Sequence, residues 1–338
     1  VPETRILPGH DPVAIEAAAA LLRAGEPVAF PTETVYGLGA DALDPVAVAR
    51  VFEIKGRPRF DPLIVHLPDR EAIALYALEA DVADPRVAAL TGRFWPGPLT
   101  LVLRKRDPIP GIVTAGLDTV ALRMPDHAVA VALIRAAGRP LAAPSANPFG
   151  RLSPTTASHV ARQLEGKVRL VLDGGPCRVG VESTVVLLAE GRAALLRPGG
   201  LPAEAVEAVI GPLERPTAEE GALLSPGRAA AHYAPSPPVV LLWPRQAPRP
   251  GPSQRIGLLA SDDAGRDEAE RVGGPFAAVE VLAPDGDPVV AASRLFDALH
   301  RLDMADLDLI VAQPVPEHGL GLAVNDRLRR AVKATIQP

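Results

Sequence analysis

The first chemistry this sequence offers is cationic. The segment KGRPRFDP at 55–62 packs Lys55, Arg57 and Arg59 into one short turn. A lysine supplies a compact, mobile ammonium, and an arginine supplies a planar fork that fits phosphate. Two prolines hold the segment extended, so alternation puts the three cations on one side. The bland alternative is a solvated basic turn. The chain has only four lysines against 31 arginines, which makes the placement of Lys55 informative. Two further cations, Arg123 in ALRMP and Arg197 in LLRPGG, stand at the ends of apolar runs. An arginine taken out of water there needs a partner, either a carboxylate of the chain or a carboxylate or phosphate of a ligand.

Polar loops accompany these cations. PTETVYGLG (31–39) follows a short buried strand with three hydroxyl-bearing residues and two glycines. Such a loop offers N–H groups and hydroxyls to a polar ligand, or it is a plain turn. SANPFGRLS (145–153) sets Ser145, Asn147 and Ser153 around Pro and Gly at the end of an apolar strand. That is the place for a crevice in an open α/β sheet, or for an Asx turn capping a helix. GVESTVV (180–186) begins a strand with Ser183 and Thr184. His66 lies inside LIVHLP, where a lone histidine is either a core residue or a ligand group. The phosphate-loop, zinc-helix and nucleophile-elbow signatures are missing.

Composition narrows the class. Hydrophobic residues make up 48% of the 338, enough to fill ordinary cores, while aromatics are only 4%. The cores must therefore rest on Ala, Val, Leu and Ile. Residues 1–215 carry 23 basic and 24 acidic side chains, and residues 216–338 carry 12 and 16. Neither part has the basic excess of a nucleic-acid coat or an anionic-membrane binder. The single cysteine, Cys177, excludes an intramolecular disulfide and a cysteine zinc cluster, and suits a reducing, cytoplasmic setting. The start VPETRILPGH lacks a signal-peptide pattern, and no apolar run is long enough to span a membrane.

The elements that must position these residues read as mixed strands and helices. Helices are expected at 12–24, 45–54, 126–137 and 155–164. Strands are expected at 27–30, 63–67, 99–104, 119–124, 140–145, 168–173 and 183–188. These imply one α/β or α+β domain over 1–215 with a large twisted sheet. Residues 216–238, rich in Pro, Gly, Ala and Glu, read as a linker. Residues 239–338 restart as a smaller Rossmann-like α/β domain, with strands at 239–243, 255–260, 278–283 and 307–312 and helices near 289–302 and 322–334. GLG at 319–321 is a fragment of a dinucleotide fingerprint too near the C-terminus to be one, and reads as a helix-starting turn.

Eight segments in series resemble the threonylcarbamoyl-AMP synthase (YrdC-like) family. They are PTETVYGLGADA (31–42), KGRPRFDPLIVH (55–66), FWPGPLTLVL (94–103), VALRMP (120–125), PSANPFGRLSPTT (144–156), DGG (173–175), ESTVV (182–186) and LRPG (196–199). SPGRAAAHYAP (225–235) and GLGLAVNDRLRRA (319–331) resemble the long, two-domain form. The resemblance implies a YrdC-like twisted-sheet domain with a concave, electropositive cleft. It implies ATP, L-threonine and bicarbonate as substrates, with magnesium, and threonylcarbamoyl-AMP and pyrophosphate as products. A separate transferase would then carry the threonylcarbamoyl group to tRNA.

Carried over residue by residue, the resemblance puts Thr34, His66, Arg123 and Ser183 on the threonine side, with Ala143 contributing backbone. Lys55, Arg57, Asp61, Thr119, Ser145, Asn147, Ser153 and Arg197 fall on the ATP side, with Lys55 and Arg57 also holding developing charge. Tyr233 would fold over the nucleotide as part of a lid. Two positions depart from the family pattern. Asp61 stands where asparagine is usual, so its carboxylate should repel a triphosphate unless magnesium or Arg59 intervenes. Residues 229–231 are all alanine where an aromatic and a basic residue are expected. The rival readings are a related hydrogenase-maturation carbamoyltransferase, which needs zinc-finger cysteines, and a non-catalytic RNA-binding module, which needs a basic face.

Overall fold

Alternation along the strands builds the first unit. Leu99, Leu101 and Leu103 point into one apolar cluster while Val102 points into another, so this strand is buried on both faces. In the computed structural model the described residues are 3–58, 60–216, 232–242 and 254–336. They fall into two compact units. One comprises Val1–Phe149, Pro154–Arg178 and Glu182–Ala229; the other comprises Gly150–Ser153, Val179–Val181 and Ala230–Pro338.

The first unit is a mixed ten-stranded sheet with helices packed on it. The strands are β1 (Arg5–Pro8), β2 (Val28–Phe30), β3 (Gly37–Asp41), β4 (Ile64–His66), β5 (Leu99–Arg104), β6 (Thr119–Arg123), β7 (Leu141–Ala142), β8 (Leu170–Asp173), β9 (Thr184–Ala189) and β10 (Arg192–Arg197). Their order is β1-β8-β2-β3-β7-β4-β6-β5-β9-β10. The helices are α1 (Pro12–Arg23), α2 (Pro45–Lys55), α3 (Ile73–Tyr76), α4 (Glu79–Val82), α5 (Pro85–Phe94), α6 (Ala128–Ala137), α7 (Ala157–Leu164) and α8 (Ala203–Ile210). Ala14, Ala18 and Leu22 of α1 pack with Leu133 and Ile134 of α6 over Phe30 and Leu141. Val48 and Phe52 of α2 join Leu63, Val65 and Leu122 in another cluster.

The mixed α/β class expected from sequence is what the chain adopts. Local differences have local causes. Residues 37–39, expected as the end of the polar loop 31–39, instead begin β3 (Gly37–Asp41) in the middle of the sheet. Gly39 is needed there for space, since a Cβ would lie 2.7 Å from the Phe30 ring. The strand expected over 140–145 shrinks to two residues between Pro140 and Pro144, which cannot donate to a ladder. β1, α3 and α4 were not expected, and each has only four residues; α5 was missed although Asp84 caps it and Val87 and Leu90 mark its buried face.

Helix α2 sets the position of the basic turn. Asp44 caps it by accepting from the Val46 N–H at 2.8 Å, and Pro45 occupies its first turn. Gly56 ends it in the left-handed conformation at φ 60°, which turns the chain out just after Lys55.

The second unit contains a four-stranded parallel sheet, β11 (Val239–Leu241), β12 (Ile256–Ala260), β13 (Ala278–Val281) and β14 (Leu309–Ala312), in the order β11-β14-β12-β13. Helices α9 (Asp263–Gly273), α10 (Pro288–Asp303) and α11 (Gly321–Ile336) belong to it. The GLG turn does start a helix, at Gly321. Leu258, Ala260 and Val311 form the strand side of its core. Most of the expected linker, residues 217–231, lies outside the described residues, as does Arg59.

Truncating the doubly buried strand should be costly. Leu101→Ala, at a position with no exposure, is expected to lower stability by about 2–5 kcal/mol. Urea unfolding followed by tryptophan emission would measure it.

Candidate active site

Lys55 is the last residue of α2 and is 3% exposed. Its Nζ donates to the carbonyl of Ser145 at 2.6 Å and to that of Asn147. Backbone pairing locks the two segments together: the Phe149 N–H donates to the Lys55 carbonyl at 2.7 Å. Burial pushes the ammonium's pKa well below the usual lysine value, and Arg57 pushes the same way. Asp61 and Glu182 oppose that shift. Asn147 is fully buried, with Nδ2 donating to the Pro148 carbonyl at 2.8 Å.

Arg57 and Asp61 form a buried ion pair, Nη2 to Oδ1 2.8 Å. The guanidinium also donates to the Asp61 carbonyl at 3.2 Å and the Pro62 carbonyl at 3.0 Å. Among the described residues, Arg57 is a cation that neutralises Asp61.

Arg123 ends β6 and is 3% exposed. Its Nε donates to the Gly97 carbonyl at 3.2 Å and its Nη1 to the Thr34 hydroxyl at 3.0 Å. Its Nη2 lies 2.7 Å from Glu33 Oε1. The Thr34 and Thr32 hydroxyls are 2.8 Å apart, and Thr32 donates to the Val35 carbonyl at 2.7 Å. One assignment satisfies them all: Arg123 donates to Thr34, Thr34 to Thr32, and Thr32 to Val35. His66 pairs with Arg123 across the parallel β4–β6 ladder and meets the Phe30 ring edge-on at 6.0 Å. Burial, with help from the Arg123 cation, pushes its pKa down to about 3, so the imidazole is neutral at physiological pH.

Ser183 and Arg197 make a third group. The Arg197 guanidinium donates to the Ser183 carbonyl at 2.9 and 3.2 Å and to its hydroxyl at 3.2 Å. The Ser183 hydroxyl lies 2.7 Å from that of Thr100. This close approach requires Gly199, because a Cβ there would sit 2.3 Å from the Ser183 carbonyl carbon.

The structure therefore joins Thr34 with His66 and Arg123, Lys55 with Ser145 and Asn147, Arg57 with Asp61, and Ser183 with Arg197. Ala143 is buried beside β7, and its N–H is already taken by the Ile64 carbonyl at 2.9 Å. Thr119 opens β6, partly exposed and paired with Arg104. Ser153 and Tyr233 belong to the second unit. Ser153 is fully buried, and its carbonyl lies 3.1 Å from His300 Nε2. The Tyr233 ring is 1% exposed and packs on Phe296 at 5.5 Å, with the Arg327 guanidinium 5.6 Å away. Its φ of 65° is unusual for a tyrosine. Sequence reasoning missed Glu33, Thr100 and Glu182 as parts of these groups. Glu33 had a signal: it is the one charge in a loop of hydroxyl and apolar residues.

A family model described as "Threonylcarbamoyl-AMP synthase, C-terminal domain" matches residues 201–332. Another, described as "Telomere recombination" and named for Sua5, YciO and YrdC, matches residues 20–199. The threonylcarbamoyl-AMP synthase of Pyrococcus abyssi is 47% identical over 326 residues, covering 94% of this chain and 93% of that relative. The chain belongs to the threonylcarbamoyl-AMP synthase family. The family member from Bacillus subtilis is 44% identical over 335 residues, 94% of this chain and 92% of its own length. The crystal structure of P. abyssi Sua5 complexed with L-threonine matches with a TM-score of 0.86 at 41% identity, over 99% of this chain and 98% of that one. The family likeness thus extends over both units.

Two predictions follow from this geometry. Asp61→Ala leaves the buried Arg57 cation without its carboxylate and should cost about 3–5 kcal/mol in chemical unfolding. His66 in the folded chain resists protonation, whereas in the unfolded chain it takes a proton near pH 6.5. The unfolded state then binds more protons, so His66 makes stability fall as pH drops from about 6.5 towards about 3. His66→Gln should flatten that part of the stability–pH curve; an unchanged slope would contradict a buried neutral imidazole.

Proposed function

We propose that this chain makes threonylcarbamoyl-AMP and pyrophosphate from ATP, L-threonine and bicarbonate, as a nucleotidyltransferase. The observation that carries the reading is the set of cations at Lys55, Arg57, Arg123 and Arg197, each no more than 7% exposed. They stand among hydroxyl groups and backbone amides in a chain of this family. Reactants that are nearly all anions call for such a set.

The chemistry accounts for the residue types. The threonine amine and bicarbonate give a carbamate and water. A carbamate oxygen then bonds to the α-phosphorus of ATP while the bond to pyrophosphate breaks. Negative charge crowds together at that step, so the chain's task is positioning and charge stabilisation, without a protein nucleophile. Thr34, His66, Arg123 and Ser183 hold threonine, with Ala143 offering its carbonyl. A neutral His66 can donate one hydrogen bond and accept another. Lys55, Ser145, Asn147, Thr119 and Arg197 face the nucleotide. Arg57 brings its charge with Asp61 holding it in place, so Asp61 orients Arg57 instead of touching phosphate. Ser153 and Tyr233 are assigned to the nucleotide by family resemblance alone.

Among the described residues, no three His, Cys, Asp or Glu side chains converge to hold a metal. The Asp61 carboxylate is occupied by Arg57. On this reading magnesium enters with the triphosphate, held by its oxygens. Among the described residues no helix is long and apolar enough to cross a membrane. We take the cytoplasm as the place of work and a tRNA threonylcarbamoyl transferase as the consumer of the product; direct contact with tRNA forms no part of the reading.

Pyrophosphate release should require ATP, threonine and bicarbonate together, with magnesium. Release that continues without threonine or bicarbonate would overturn the proposal. Lys55→Ala should lose about 2–4 kcal/mol of transition-state stabilisation, measured as kcat/KM.

A further inference from the structure

Glu33 has no assigned part in the reaction described above, yet it is the most completely buried charge beside Arg123. The two side chains are 0% and 4% exposed, and Glu33 Oε1 lies 2.7 Å from Arg123 Nη2. The approach lies off the N–H direction. Neither carboxylate oxygen of Glu33 accepts a hydrogen bond among the described residues, and Nη2 of Arg123 donates none. A pair built for stability has a different form in this same chain. Arg104 and Asp81 make several hydrogen bonds, Nε to Oδ1 at 3.0 Å and the Arg104 N–H to Oδ2 at 2.8 Å. A buried carboxylate with charge contact and no hydrogen bonds is expensive to keep. It acts on its surroundings through its charge.

Three titratable neighbours add no charge of their own. His66, the neighbour of Arg123, is neutral. Of the other titratable groups whose fields reach Glu33, burial lowers the pKa of the His127 imidazole and raises that of the Cys177 thiol. Both are uncharged near neutral pH. Glu33 and Arg123 thus balance one another, and Nη2 keeps its hydrogen-bonding capacity. One fixed anion beside one fixed cation matches an amino-acid zwitterion, whose carboxylate meets the cation while its ammonium lies in the field of the anion. A lone buried guanidinium would instead favour any carboxylate of suitable size.

We propose that Glu33 is a positioning residue that holds Arg123 and keeps the site around Thr34 neutral as a whole, so that it takes an amino-acid zwitterion and excludes the amine-free hydroxy acid. This rests on the reading of that site as the threonine site.

The test compares threonine with 3-hydroxybutanoate, which is threonine without its amine, in pyrophosphate release. The wild-type enzyme should show no inhibition by 3-hydroxybutanoate at about ten times the threonine KM. Glu33→Gln should raise the threonine KM by about tenfold or more, with kcat falling much less, and should make 3-hydroxybutanoate a competitive inhibitor. Glu33→Asp, which keeps the charge, should keep the preference for threonine. Loss of packing alone would lower activity without changing which molecule binds. Wild-type enzyme inhibited by 3-hydroxybutanoate as strongly as it binds threonine would overturn the proposal with no variant needed. So would Glu33→Gln with an unchanged KM and continued indifference to the hydroxy acid. Wild-type release that ignores threonine would overturn the reading of the site, and this inference with it.

Discussion

Four cations withdrawn from water in one α/β unit are the constraint around which the rest is arranged. Each is accommodated differently. Lys55 is met by two backbone carbonyls, Arg57 by the Asp61 carboxylate, Arg197 by the Ser183 carbonyl and hydroxyl, and Arg123 by Gly97, Thr34 and Glu33. Carbonyl oxygens supply direction but little charge. A buried ammonium held by carbonyls alone keeps much of its appetite for an anion. The lowered pKa of Lys55 expresses the same imbalance, and a phosphate group arriving beside it would oppose the shift.

The fold serves that arrangement through where its elements stop. Helix α2 ends at Lys55, strand β6 at Arg123 and strand β10 at Arg197. Loop carbonyls of Ser145, Asn147 and Gly97 meet the cations at these ends. Gly56 permits the turn after Lys55, and Gly199 permits the close backbone approach at Ser183. The doubly buried strands β5 and β9 between them give a rigid base, which positioning chemistry needs.

Much of this was legible in the residues. The apolar run LTLVLR announced β5, and the helical stretch at 45–54 announced α2. The rarity of lysine singled out Lys55, and arginines at strand ends singled out Arg123 and Arg197. Other features lay beyond local pattern. GLGAD becomes a central strand because Phe30 fills the space over Gly39, a contact between neighbouring strands that no window of residues 37–41 contains. The Arg57–Asp61 pair was not read from the sequence, because it depends on the turn through Pro58 that folds Arg57 back onto the carboxylate. Glu33 passed as one more polar loop residue, since its meaning depends on Arg123, ninety positions away in the chain, about 2.7 Å away in space.

The central claim is that these cations gather ATP, threonine and a bicarbonate-derived carbon into one product. Isotope tracing tests it most directly. The purified chain would be given carbon-13 bicarbonate, ATP, threonine and magnesium, and the adenylate product examined by mass spectrometry and carbon NMR. The account predicts threonylcarbamoyl-AMP with the label in the carbonyl between the threonine nitrogen and the phosphate. An unlabelled adenylate, or threonine joined directly to AMP through its own carboxylate, would contradict it.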